Sequence, residues 1–335
     1  MKKLRLAIIG CGGFVRGMHV PNIKANPKFT VQATMDVSEK AATDLAQATA
    51  AAYATTDVEK ILSDPSVDAV LIATRHDSHA DLTVRAARAG KHVLCEKPMA
   101  LGVEEVKRVV RAVKESGVVY TVGYNRGLAP MILKARDLLA GDPHKRMIYH
   151  RIQAPFPEDS WTHDPLVGGG RFVGEGCHIF DLMSELVEAA PVSVYAAGGT
   201  FLDPRKVKIP DSAIVTIAYR DGSVATTLIN SAGCGAFEKE STEIYCDGRA
   251  IHIANFQEMR YFGFEGQNCV TTRLDGVDKG HRTEIDLFAD AVLDGKPIPN
   301  GLVKAARAAV ISFKVGQSLE RGLPVPVSAD EYELA

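Results

Sequence analysis

Leu4-Arg5-Leu6-Ala7-Ile8-Ile9-Gly10-Cys11-Gly12-Gly13 is the stretch whose reading decides the fold of this chain. A largely apolar run of this kind is expected of a parallel strand covered on both faces. It passes directly into glycines, and a helix is expected over 15–26. Gly10 can take the tight turn, and Gly12 leaves room for a pyrophosphate to approach the backbone. The following helix offers free N–H groups and the positive end of its dipole to the phosphates. Gly13, Phe14 and Val15 complete the loop. Val15 stands where the G-x-G-x-x-G fingerprint has its third glycine, which predicts a wider helix–strand spacing or a tilted cofactor.

From there the pattern alternates. Strands are expected at 30–35, 67–73, 92–94 and 118–121, with helices at 57–62, 81–89 and 103–115. Strands and helices alternating at these spacings predict a doubly wound parallel sheet. Asp36 ends the second strand, 26 residues past Gly10, where a carboxylate can accept both ribose hydroxyls of an adenosine. A 2′-phosphate would meet a like charge there, so NAD is favoured over NADP, although Lys40 leaves some room for a phosphate. Asp36 also reads as a helix-capping residue, and the two roles are compatible.

Two later loops fall at carboxyl ends of strands, where open α/β sheets place their ligands. They are Thr74-Arg75-His76-Asp77-Ser78-His79 and Cys95-Glu96-Lys97-Pro98. The first also reads as a turn capped by Asp77 or Ser78. In the second, Lys97 can carry its ammonium to a substrate or to the nicotinamide ribose, on a backbone stiffened by Pro98. The expected cofactor contacts in these loops are Thr74, Arg75, His76, His79, Glu96 and Lys97.

After residue 121 the pattern changes. A helix is expected at 128–139, then strands at 147–153, 192–197, 213–219, 224–230, 242–246 and 250–254. The alternation in 212–217 and the Asp221-Gly222 turn suggest antiparallel pairing. Helices at 283–293 and 302–320 would cover this sheet or return to the first domain. The fold class is therefore α/β: a doubly wound parallel sheet, then an α+β domain with a mostly antiparallel sheet. The expected boundaries are 1–123 for the dinucleotide-binding domain and 124–335 for substrate binding and oligomerisation.

Composition excludes several classes. At 335 residues, 46% apolar and 24% charged, the chain is globular and exceeds one typical domain. A formal charge of −2 without long runs of one sign gives no footprint for nucleic acid or an anionic membrane. Six scattered cysteines with no CxxC pair point to a reduced cytoplasmic protein. The apolar run behind the basic N-terminus breaks into glycines too early for an export signal, and no stretch approaches a membrane span.

The segment richest in chemistry is 168–182, GGGRFVGEGCHIFDL. Glu175, His178 and Asp181 recur at intervals of three, which places them near one helix face. His178 suits proton acceptance at neutral pH, and Glu175 can orient it. A satisfied histidine beneath a helix start, with Glu175 as a first-turn acid, is the competing reading. In the preceding loop, Trp161 could stack on a sugar or serve a domain contact, and His163 and Asp164 are further candidates for specificity. Arg171 joins them as a substrate-binding candidate. His76 with His79, and Cys177 with His178, lack the further ligands of a zinc site, so no metal is expected.

AIIGCGGFVRGMH, ATRHDSHADL, HVLCEKP and GGGRFVGEGCHIFDL together resemble the glucose–fructose oxidoreductase / inositol dehydrogenase / rhizopine catabolism (Gfo/Idh/MocA) family. DKGHRTEIDLFADAVLDGKPIP and ERGLPV extend the resemblance over nearly the whole chain. It implies a Rossmann domain and a second domain whose open sheet makes dimer or tetramer contacts. It also implies NAD(P)-linked oxidation or reduction of sugars, sugar nucleotides or polyols. Lys97 falls on the family's EKP lysine and His178 on its catalytic histidine. Tyr124-Asn125-Arg126 resembles the segment that approaches cofactor and substrate, which puts Asn125 with the cofactor and Tyr124 and Arg126 with the substrate. Many members carry an aspartate four residues before the histidine; Gly174 stands there in this chain, with Glu175 beside it. The expected reaction is hydride transfer from a secondary alcohol, with His178 as base, Lys97 on the oxygen and Glu175 in support. NAD-dependent glycoside hydrolysis, NADP-linked sugar reduction and a non-catalytic sugar sensor are the alternatives.

Overall fold

A computed structural model describes residues 2–264 and 266–333. The chain forms two compact units. The first runs to Tyr124 and takes back His281–Ala306 and the residues from Asp330; the second comprises Asn125–Gly280 and Arg307–Ala329.

In the first unit, strands β1 (Leu4–Ile9), β2 (Phe29–Met35), β3 (Tyr53–Thr55), β4 (Ala69–Ile72), β5 (His92–Cys95) and β6 (Tyr120–Val122) form one parallel sheet in the order β3-β2-β1-β4-β5-β6. Every β1 residue except Arg5 is buried, so both faces are covered, as the apolar run requires. The covering helices are α1 (Val20–Ala25), α2 (Glu39–Thr49), α3 (Val58–Leu62), α4 (His79–Arg88) and α5 (Val103–Ser116). Ser38 caps α2 and Asp57 caps α3 through their side chains. The strand order reverses between β1 and β4, the crevice where ligands bind in such sheets.

Within the second unit, helices α6 (Pro130–Leu139) and α7 (Cys177–Val187) accompany a nine-stranded sheet. Its strands are β7 (Met147–Gln153), β8 (Pro191–Gly199), β9 (Ser212–Tyr219), β10 (Val224–Asn230), β11 (Glu240–Cys246), β12 (Arg249–Ala254), β13 (Glu258–Phe262), β14 (Val270–Arg273) and β15 (Val325–Pro326). Pairing is antiparallel except between β7 and β10, so the mostly antiparallel expectation holds with one parallel ladder. Ile148, His150 and Ile152 alternate inward along β7, and all of α7 is buried. The registers align Tyr195, Thr216, Thr226, Tyr149, Glu243, His252 and Arg260 across the opposite face, which is at least partly exposed throughout.

Helix α8 (His281–Asp294) belongs with the first unit, where Ile285, Phe288 and Ala289 join the core around β1. Asn26 donates to Asp286 at 2.7 Å, and Lys28 pairs with Asp290 and Asp294. The last long helix, α9 (Leu302–Arg321), has 20 residues. Among the described residues no helix is long and apolar enough to cross a membrane.

Candidate active site

The glycine loop is built for close approach. Gly10 has φ +98°, and a Cβ there would overlap the Ala73 carbonyl at the end of β4. Gly12 and Gly13 are exposed, and a Cβ on either would meet nothing within 4 Å. Open space above a backbone that leads into a helix N-terminus fits a pyrophosphate. Val15, in place of the third glycine, turns inward and joins the core around β1. The helix begins there as a π-helical turn, Val15–His19, before tightening into α1. That wider first turn accommodates the valine without opening the core.

Asp36 is partly exposed at the mouth of the loop. Its Oδ2 accepts the Cys11 N–H at 2.8 Å and its Oδ1 the Ser38 N–H at 2.9 Å. Each oxygen keeps a lone-pair direction for a ribose hydroxyl. Lys40 pairs with Asp44 at 2.7 Å, which leaves the mouth under the Asp36 charge and suits NAD.

The two strand-end loops are tied to this cradle from inside. Thr74 Oγ1 lies 2.6 Å from Ser78 Oγ, and Arg75 is exposed. His79, one of the expected cofactor contacts, is fully buried and spans the Pro98 carbonyl (2.8 Å) and the Thr74 carbonyl (3.2 Å). Burial pushes its pKa down. It braces the loops, and the buried His76 ring lies 5.7 Å from it. Glu96 is buried as well: its Oε1 lies 2.6 Å from His19 Nε2, and its Oε2 accepts the Lys97 N–H at 3.2 Å. Burial opposes the Glu96 charge, yet His19 and Lys97 hold its carboxyl below the usual range. Lys97 itself is half-buried, on a cis Lys97–Pro98 bond. Phe14 is half-exposed and meets His19 and His281 edge-on.

The second unit contains a buried ionic cluster of Arg126, Glu175, Glu240 and Lys279. A second π-helical turn, Phe172–Gly176, leads into α7 and contains Gly174 and Glu175. His178, 4% exposed, sits on the first turn of α7. Glu175 Oε1 accepts from Arg126 at 2.8 Å, and Arg126 also grips Glu240 at 2.7 and 3.1 Å. Lys279 reaches Glu240 at 2.5 Å, and His150 lies 3.8 Å from it. Burial acts against the Glu240 charge, but Arg126 and Lys279 lower its pKa to about 2. Burial and nearby cations press His150 down to about 4. Arg171 is buried, its guanidinium 4.3 Å over the Phe156 ring.

Most of the remaining candidates have internal partners or are buried. Tyr124 is fully buried in the first unit. Asn125 donates its amide to the Lys279 carbonyl at 2.7 Å. His163 turns inward onto the Pro157 carbonyl at 3.0 Å, and Asp164 caps its own turn through the Leu166 N–H. Trp161 is 44% exposed. Gly168 lets this loop close, because a Cβ there would overlap the Thr162 backbone. Among the described residues no three His, Cys, Asp or Glu side chains are grouped to hold a metal ion.

His19, His150, Glu240 and Lys279 escaped the sequence reading. The signals were present: His150 falls on the apolar phase of IYHRI, and His19 lies one turn beyond the inward Val15.

Comparison with known proteins accords with this geometry. Residues 4–124 match the oxidoreductase family with NAD-binding Rossmann fold, and residues 133–252 match the GFO/IDH/MocA C-terminal domain. The myo-inositol 2-dehydrogenase of Thermotoga maritima is 25% identical, over 95% of this chain and 96% of that protein. The scyllo-inositol 2-dehydrogenase (NAD(+)) of Bacillus subtilis is 27% identical over 80% of each. The fold is shared with levoglucosan dehydrogenase solved with NADH and levoglucosan, at TM-score 0.88 and 21% identity, covering 97% of this chain and 100% of that one. The chain belongs to the Gfo/Idh/MocA family of NAD-dependent oxidoreductases.

Proposed function

We propose that this enzyme oxidises a secondary alcohol of a sugar, sugar derivative or polyol. The observation that carries the reading is an open dinucleotide cradle in the same chain as His178, a nearly buried imidazole on the first turn of α7. The names of the inositol dehydrogenases among its relatives support the substrate class.

NAD supplies the hydride acceptor when bound. Gly10, Gly12, Gly13 and Asp36 would hold it, with Phe14, Thr74 and Arg75 at the rim. His178 accepts the hydroxyl proton as the carbon–hydrogen bond at the same centre breaks. Lys97 hydrogen-bonds the alcohol oxygen and stabilises the negative charge that develops there. Glu175, fixed by Arg126, places a carboxylate one turn before His178. Arg171 and Trp161 contact the remainder of the substrate. The exposed face of the nine-stranded sheet, with Tyr195, Ile214 and Tyr245 on it, supports assembly into a dimer or tetramer.

The test is a panel of sugars, polyols and nucleotide sugars assayed for NADH. His178→Ala should lower kcat by about 10²- to 10⁴-fold and Lys97→Ala by about 10²- to 10³-fold, with NADH binding retained. Near-normal turnover in either variant would remove that residue from the mechanism. Release of free sugar without net NADH would identify the hydrolytic alternative instead.

A further inference from the structure

We infer that the substrate carries a carboxylate, gripped by the guanidinium edge of Arg171. This rests on the alcohol-oxidising reading above and narrows its substrate class to sugar acids.

Three arginines are buried among the described residues: Arg126, Arg146 and Arg171. Arg126 is saturated by Glu175 and Glu240. Arg146 donates to the Leu186 and Leu139 carbonyls. Arg171 differs. It is 5% exposed, its Nε donates to Ser231 Oγ at 3.2 Å, and no carboxylate of the described residues lies within 4.0 Å of it. Its two terminal nitrogens have no acceptor among the described residues, and neither is sealed from solvent. Phe156 holds one face of the plane at 4.3 Å, which orients the donor edge. A buried cation without an anion is costly, and a fixed fork of two N–H donors matches a planar carboxylate.

The surrounding charge points the same way. Arg126, Arg171, Lys239 and Lys279 face two carboxylates, Glu175 and Glu240, and both are already bound by Arg126. Lys239 lies 4.0 Å from Glu175 and makes no side-chain hydrogen bond among the described residues. Asp211, the next acid, is occupied by the N–H groups of Phe201 and Leu202 and by the Ser212 hydroxyl. Burial pushes the pKa values of Arg171 and Lys239 down, the condition that an incoming anion relieves. Arg171 also directly precedes the turn that leads to His178, so the anion site and the proposed base share one stretch of chain. A neutral polyol offers hydroxyl acceptors to the Arg171 edge but no charge to balance it.

The test titrates the NADH-loaded protein with glucuronate and galacturonate against glucose, galactose, myo-inositol and glucose 6-phosphate, using calorimetry. At least one uronate should bind ten-fold or more tightly than its parent sugar. Arg171→Met should bring that ratio near one, Arg171→Lys should restore part of it, and melting curves should show both variants folded. Equal or tighter binding of the neutral sugars overturns the inference, as does failure of every uronate to bind or an unchanged ratio in Arg171→Met. A preference for the phosphate overturns the carboxylate assignment. NADH formed from neutral alcohols alone sinks the inference and spares the dehydrogenase reading. Tight uronate binding with no NADH from any alcohol sinks that reading and spares the anion site.

Discussion

The carboxylate of Asp36 accepts the backbone N–H of Cys11 at 2.8 Å, so the residue proposed to read the ribose also tethers the glycine loop to the end of β2. Asp36→Ala should therefore weaken NAD binding by about ten- to a hundredfold, the range for hydrogen bonds to a charged group. It should gain little affinity for NADP, because the loop loosens as the repulsion is removed. Fluorescence titration with both cofactors checks this; a clean switch to NADP would show that the tether is unimportant.

Gly10 and Gly12 should respond differently to the same added methyl group. Gly10→Ala places a Cβ on the Ala73 carbonyl at φ +98° and should cost roughly 1–3 kcal/mol or more of stability. Gly12→Ala meets open space, so the melting temperature should stay near wild type while NAD binding weakens. Thermal melts with and without NAD separate the two, and equal destabilisation would contradict the cradle geometry.

His150 gives stability a pH dependence. Burial holds its pKa near 4 against an ordinary 6.5, with Glu240 opposing that shift and Arg126, Lys279 and Arg151 adding to it. Between those values the unfolded chain binds a proton that the folded chain refuses. Stability should thus fall as pH drops from 6.5 towards 4, by up to ~1.4 kcal/mol per unit, and this contribution should level off below. His150→Gln should flatten the slope in calorimetry across that window. An unchanged slope would mean another group sets it.

Leu228 and Ile214 are cross-strand partners on the exposed face of the nine-stranded sheet. If that face joins subunits, the double variant Ile214→Arg, Leu228→Arg should sediment as a monomer while the wild type sediments as a dimer or tetramer. A monomeric wild type would dismiss the assembly.

Legibility in the sequence followed local contrast. The β1 run, the Gly10 turn and the α5 stripe were readable because burial on both faces or on one face leaves a periodic trace. α2 and β3 escaped because alanine-rich 41–54 blurs that trace, and β13–β14 because Glu258, Arg260 and Arg273 interrupt it. At the site, residue types named Lys97, His178 and Arg171. They could not reveal that Glu96 and His79 face inward, since those pairings join positions 77 and 19 residues apart. Glu240 was hidden for the same reason: its partner Arg126 lies 114 residues away.

His79 bridging the Thr74 and Pro98 carbonyls, with His19 locked to Glu96, also bears on how the cofactor is received. The rim loops are braced from beneath by these side chains. Their conformational entropy is surrendered once, when the chain folds, rather than at every turnover. Cofactor exchange can then proceed on a standing framework.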